Sequence, residues 1–174
     1  GFNRRFAPLL TELQARFGAG AGGGSGPLAA RYLVNAGRLA PTSWYLDADR
    51  EGSRFAGEGG HFIDTVSALL GQDPVQVYAV GAGQDVQAVL TYPEGSTATI
   101  AYLAGGSSRF PKESIDLTGG GRSARLDNFQ RVSVWTSKGK STKRSLTIDK
   151  GQRGQLAAFV EAVRDGAPMP IGLD

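Results

Sequence analysis

The chain holds a single histidine, His61, and it lies between two carboxylates, Glu58 three residues before it and Asp64 three residues after. Positions three apart on a helix share a side, so both acids fall within reach of the imidazole. A histidine with a carboxylate partner is a pair that general acid–base chemistry uses, because the partner fixes the tautomer and moves the pKa towards neutral pH. Gly57, Gly59 and Gly60 beside it let backbone come close. The same features suit a helix cap or a half-buried structural histidine, and residue types alone leave both readings open.

The element that must position these groups is an amphipathic helix. Phe62, Val66, Leu69 and Leu70 recur at the spacing of one buried stripe. His61 is expected to open this helix, about 100° of rotation from Phe62, at the edge of the stripe. Glu58 would then sit near the helix N-terminus, which favours an acidic side chain.

Around this helix, Phe6, Leu9, Leu10, Leu13 and Phe17 predict a first helix over 6–17. Residues 18–26 are nearly all Gly, Ala and Ser and read as a flexible glycine-rich loop. No strand precedes its G-x-G patterns and no clear helix follows, so a phosphate cradle is not expected there. A strand over 28–34 follows, then an irregular stretch with Pro41, Trp44 and Tyr45. Beyond the His61 helix, strands are predicted at 75–80, 86–92, 97–103, 114–118, 123–126, 132–136 and 141–148. Turn signals such as Pro93-Glu94-Gly95 and Lys138-Gly139-Lys140 separate them. Leu146 and Ile148 alternate with polar neighbours, as a strand with one buried face does. A last helix over 154–164 lines up Leu156, Phe159, Val160 and Val163 before Gly166 and Pro168 stop it. The reading is one α+β domain over 1–174: an open, mostly antiparallel sheet with helices packed on one face.

Composition narrows the function. With no cysteine, neither a disulfide framework nor a thiolate metal site exists, and one histidine leaves no His-cluster zinc site. The lack of cysteine suits the cytoplasm. No apolar run reaches membrane-spanning length and no charged-then-apolar leader opens the chain. Nineteen Lys and Arg against sixteen Asp and Glu give a net charge of +3. The cations are scattered except Lys138, Lys140, Lys143 and Arg144, around an expected hairpin turn. A nucleic-acid partner is not expected unless other cations join these in one patch. The chain opens on Gly1-Phe2-Asn3 and stops after Pro168-Met169-Pro170-Ile171 without a closing element, so it is expected to be a piece of a larger protein.

Several segments resemble a known family. Gly1-Phe2-Asn3-Arg4-Arg5-Phe6, the stretch from Glu51 to Asp64, Pro111-Lys112-Glu113 and Leu126-Asp127-Asn128-Phe129 together resemble the C-terminal domain of the Gfo/Idh/MocA oxidoreductases. Val34-Asn35-Ala36-Gly37, Trp44 and the segment Gly57 to Asp64 look most like a branch with an alcohol-dehydrogenase-like region upstream. The resemblance implies a two-domain NAD(P)-dependent enzyme acting on a secondary alcohol of a sugar or polyol. Its Rossmann half, which binds the cofactor and carries the Glu-Lys-Pro lysine, is absent here, so the chain alone is expected to bind no cofactor and to be inactive. Its sheet often packs against another subunit, which implies a homo-oligomer.

His61 matches the family's histidine, which takes the substrate hydroxyl proton as hydride leaves. The family's glycine triplet falls on Glu51-Gly52-Ser53 and its aspartate on Gly57, with Glu58 beside it. Glu58 is therefore the candidate second carboxylate, or else a cap or a partner of Arg54. Asn35 and Trp44 flank the glycine run as candidate substrate contacts, or as a turn residue and a packing aromatic. Lys112 faces the cleft or stands as a solvated edge-strand charge. Arg4 and Arg5 meet cofactor phosphates or mark the domain junction. The rival reading is a non-catalytic binding or oligomerisation module, with the departures at Glu51, Ser53 and Gly57 recording lost chemistry.

Overall fold

The computed structural model describes residues 1–17 and 26–172, with the backbone alone for Ala48 and Glu51. The glycine-rich loop expected at 18–26 lies, Gly26 apart, outside the described residues. A 3₁₀ turn over Arg4–Phe6 leads into α1 (Pro8–Phe17), then β1 (Ala29–Asn35), a second 3₁₀ turn (Trp44–Leu46), α2 (Ala48–Glu51) and α3 (Arg54–Leu70). Strands follow as β2 (Gln76–Ala82), β3 (Asp85–Thr91), β4 (Thr97–Leu103), β5 (Glu113–Gly119), β6 (Arg122–Asp127), β7 (Arg131–Thr136) and β8 (Gly139–Arg144), before α4 (Gln152–Asp165).

The strands form one open sheet in the order β2-β3-β4-β1-β5-β6-β7-β8. Only β1 and β4 run parallel, from Ala29 opposite Thr97 to Asn35 opposite Leu103; every other neighbour is antiparallel. Alternation decides the faces. Ile115 and Leu117 on β5, Ala124 and Leu126 on β6, and Val132 and Val134 on β7 are buried. α1 packs against β6 and β7, while α3 packs against β1 and β4. The opposite face carries Arg31, Asp116, Arg125, Asp127 and Arg131. The expected α+β architecture is the one observed.

The His61 helix differs from expectation. It begins at Arg54, about two turns before His61, with the Ser53 hydroxyl accepting the Ala56 N–H at 3.1 Å. His61 is therefore mid-helix, and no acidic residue occupies the first turn. The helix runs through Gly57, Gly59 and Gly60, although each glycine costs a helix about 1 kcal/mol. Packing wins here. A Cβ at Gly59 would lie 2.8 Å from the Phe55 ring, and one at Gly60 would lie 3.1 Å from Phe2. These positions admit aromatic rings against the helix, which offsets the lost propensity.

Two other expectations need correcting. β8 stops at Arg144, because Ser145 closes a local turn: its hydroxyl bonds the Thr147 carbonyl at 2.8 Å and the Thr147 N–H at 3.3 Å. Leu146 consequently stands fully exposed and Ile148 half-exposed. The stripe Leu156, Phe159, Val160 and Val163 on α4 is also solvent-facing, each residue at least half exposed.

α4 is joined to the start of the chain through Gly151, its N-cap at φ 88. A Cβ there would stand 2.3 Å from the Asn3 carbonyl oxygen and 2.5 Å from the Ala7 nitrogen. These are backbone atoms that cannot rotate away. Gly151→Ala is expected to lower the melting temperature well beyond Gly139→Ala, whose position has positive φ but open space. Strain alone costs about 1–2 kcal/mol, so equal melting temperatures for the two variants would refute this close approach.

Candidate active site

α3 presents His61 at the edge of its buried stripe, with Phe62 beside it fully buried. The Phe2 ring meets the imidazole edge-on at 5.7 Å. His61 Nδ1 is buried and has no hydrogen-bond partner. Buried polar atoms are rarely left so. Burial, followed by the positive Arg4 guanidinium, lowers the imidazole pKa from its ordinary 6.5. The shift is thus opposite to the upward one a carboxylate partner would give, and near pH 7 the ring is neutral and able to accept a proton.

The two flanking carboxylates are held by other groups. Asp64 accepts from Arg5, Nε at 3.1 Å and a second bond from Nη2. Glu58 accepts from the Tyr102 hydroxyl at 3.0 Å and from Arg54 Nε at 3.4 Å. Arg54 in turn donates to the Gly37 and Ala36 carbonyls at 2.7 and 2.9 Å and lies over the Tyr102 ring at 5.7 Å. These contacts clamp α3 to the end of β1. Burial and then the bond to Glu58 raise the Tyr102 pKa well above its ordinary value. Tyr102→Phe is expected to cost about 1 kcal/mol, and a melt unchanged from wild type would refute the bond.

Trp44 packs edge-on against Tyr45 at 5.0 Å and is 69% exposed. Tyr45 reaches over α3, its hydroxyl 2.8 Å from where a Gly57 Cβ would stand. A cavity of about 250 Å³ opens there, lined in part by Tyr45, Arg54, Phe55 and Val86. Asn35, at the end of β1, is buried and donates to the Ser107 and Phe110 carbonyls at 2.8 and 3.4 Å. It thereby shapes the loop after β4, while its own Oδ1 is buried without a partner.

Lys112 is placed elsewhere. It lines a cavity of about 600 Å³ with Arg109, Arg131 and Arg144, whose lining includes none of His61, Glu58, Asn35 or Trp44. The strand it precedes, β5, lies inside the sheet between β1 and β6, so Lys112 is not an edge-strand charge. Arg4 and Arg5 turn inward: Arg4 grips Glu113 through Nε at 2.8 Å and Nη2 at 3.0 Å. Glu113 also accepts from Lys150 and the Tyr32 hydroxyl. In the sequence Glu113 stands out only beside Lys112, at the start of a strand, and Tyr102 does not stand out at all. The signal was a charged or phenolic residue inside an otherwise apolar strand, and several strands offer one.

An eight-stranded open α+β sheet with its helices on one face is the fold class this chain defines. Solved proteins with the same fold include oxidoreductases and dehydrogenases. One is an oxidoreductase domain protein from Kribbella flavida, at TM-score 0.77 and 19% identity, the match covering 98% of this chain and 57% of that one. An aldose–aldose oxidoreductase from Caulobacter crescentus, solved with glycerol, matches at TM-score 0.77 and 19% identity over 99% and 55%. Levoglucosan dehydrogenase, solved with NADH and levoglucosan, matches at TM-score 0.78 and 17% identity over 96% and 57%. No family model matches the sequence, and no curated protein matches it either. The chain spans little more than half the length of these solved proteins. Among its described residues there is no strand–glycine loop–helix unit of the kind that cradles a dinucleotide, no group of three or more metal-ligating side chains, and no helix long and apolar enough to cross a membrane.

Proposed function

We propose that this chain is the substrate-binding half of a cytoplasmic NAD(P)-dependent oxidoreductase acting on a secondary alcohol of a sugar or polyol. The observation that carries the reading is His61: a neutral imidazole on α3 with a buried, unpartnered nitrogen, in a fold shared with sugar dehydrogenases. Its part is to take the proton of the substrate hydroxyl during oxidation and to return it during reduction. Glu58 acts beside it, fixed by Arg54 and Tyr102 and set to receive a hydroxyl from the substrate. Trp44, exposed beside the cavity at the start of α3, offers an indole face to a sugar ring, and Asn35, itself buried, serves the site by shaping the loop after β4. Lys112 we assign to the separate basic cavity. The described residues form no dinucleotide cradle, so cofactor binding falls to an N-terminal half outside this sequence.

The test is a screen of sugars and polyols with NAD+ and NADP+ on the longer protein. Turnover of at least one secondary alcohol is expected. Turnover restricted to substrates without one would overturn the reading.

One observation favours a second reading, a non-catalytic assembly module. Tyr78 and Val80 on the edge strand β2 are 72% and 59% exposed, with Val89 beside Tyr78 on the same face. Such an apolar patch is a surface for another copy of the chain. A defined oligomer that turns over no alcohol in the same screen would select this module. An active oligomer fits the dehydrogenase.

A further inference from the structure

We infer that the open face of the sheet carries a second ligand site, for a small phosphorylated molecule, independent of the His61 chemistry. The larger cavity, about 600 Å³, gathers Arg109, Lys112, Arg131 and Arg144. A second, of about 250 Å³, shares Asp127, Arg131 and Arg144 with it and adds Arg125 and Lys140. Six cations and one carboxylate thus line these two adjoining cavities, in a chain whose whole excess of cations is three. The basic residues Lys140 and Arg144, scattered from the others in sequence, meet them because β7 and β8 pair Arg131 with Arg144 and Trp135 with Lys140.

The charges are not internally balanced. Arg131 is paired with Asp127, and Arg125 with Asp116. Arg109, Lys112, Lys140 and Arg144 form no ion pair among the described residues. Charges of one sign gathered without counter-charge repel one another and destabilise the fold. A bound dianion removes that repulsion, and guanidinium groups bind phosphate through paired N–H bonds.

The shape and lining favour a small molecule. A volume of about 600 Å³ is that of a small-ligand cleft. The hydroxyls of Ser108 and Ser145 and the amides of Asn128 and Gln130 complete its wall, donors and acceptors suited to the uncharged part of a sugar phosphate or nucleotide. Trp135 stands at the far end, with Lys140 4.9 Å over its ring. The hollow lies across the sheet from α3, because Asp127 and Arg131 alternate with Leu126 and Val132, which face the helices.

The experiment is calorimetric titration of the 174-residue chain with pyrophosphate and with glucose 6-phosphate at low ionic strength, beside glucose and a single-stranded 20-mer DNA. Saturable one-to-one binding of the phosphates and none of glucose is expected. The double variant Arg109→Gln/Arg144→Gln should weaken it at least tenfold, and Arg164→Gln, on the exposed end of α4, should leave it unchanged. Thermal melts of the variants establish that they fold. Absence of saturable binding, or equal binding by the double variant, would overturn the site. DNA binding that is tighter than pyrophosphate and grows with strand length would overturn the small-molecule assignment in favour of nucleic acid.

Discussion

Glu113→Gln is expected to lower the melting temperature at pH 7 by about 10 °C, a larger effect than loss of the Tyr102 hydroxyl. Glu113 is 1% exposed and holds four donor groups: two nitrogens of Arg4, the Lys150 ammonium and the Tyr32 hydroxyl. It ties the first turn of the chain and the segment before α4 to the start of β5. An amide of the same shape fills the space but leaves two cations without a counter-charge. Removing one partner of a buried pair costs about 3–5 kcal/mol, and the partial exposure of Arg4 and Lys150 discounts this to roughly 3.

The same carboxylate gives a pH signature. Burial opposes its charge, but Arg4 and Lys150 outweigh burial and hold its pKa at about 2, below the ordinary 4.5. The unfolded chain therefore binds the proton first as acid is added. This stabilisation is complete above about pH 5 and is lost as the pH falls towards 2. The gap in melting temperature between wild type and Glu113→Gln should narrow over that window. A constant gap would show that the charge is not what stabilises the fold.

His61→Ala, in the longer protein, is expected to reduce kcat/KM for alcohol oxidation by about 10²–10⁴-fold, the range a positioned general base supplies. Stability should change little. The ring is only partly buried, its packing partner is Phe2, and its unpartnered Nδ1 disappears with it. Alanine also suits a helix better than histidine. A large loss of activity with an unchanged melt separates chemistry from structure. A parallel loss of both would make His61 a packing residue.

The fold was largely legible because most strands alternate cleanly: Thr97–Leu103 buries Ala98, Ile100 and Tyr102 on one face, and the pattern reads directly from residue types. What escaped were places where long-range contacts overrode local preference. His61 read as the start of its helix, yet the helix begins at Arg54 and runs through Gly57, Gly59 and Gly60, where Tyr45, Phe55 and Phe2 occupy the space of the missing side chains. Leu146 and Ile148 read as strand, yet a serine turn ended the ladder. At the candidate site, His61 and its two acids were visible from spacing. Arg54 as a partner of Glu58 was visible too, four residues away on the same helix, but Arg5 and Tyr102 were not, because they reach the two acids by tertiary folding that no spacing records. The basic hollow was hidden for the same reason, its cations being spread from Arg109 to Arg144 along the chain.

The most direct measurement of the proposed role is the pH profile of kcat/KM for alcohol oxidation by the longer protein, wild type beside His61→Ala. A base whose pKa burial and Arg4 push below 6.5 predicts a wild-type profile that is flat at neutral pH and falls on the acid side with an apparent pKa below 6.5. The variant should be slow and lack that limb. An identical acid limb in both proteins, or a variant as active as wild type, would contradict the assignment of His61 as the group that takes the proton.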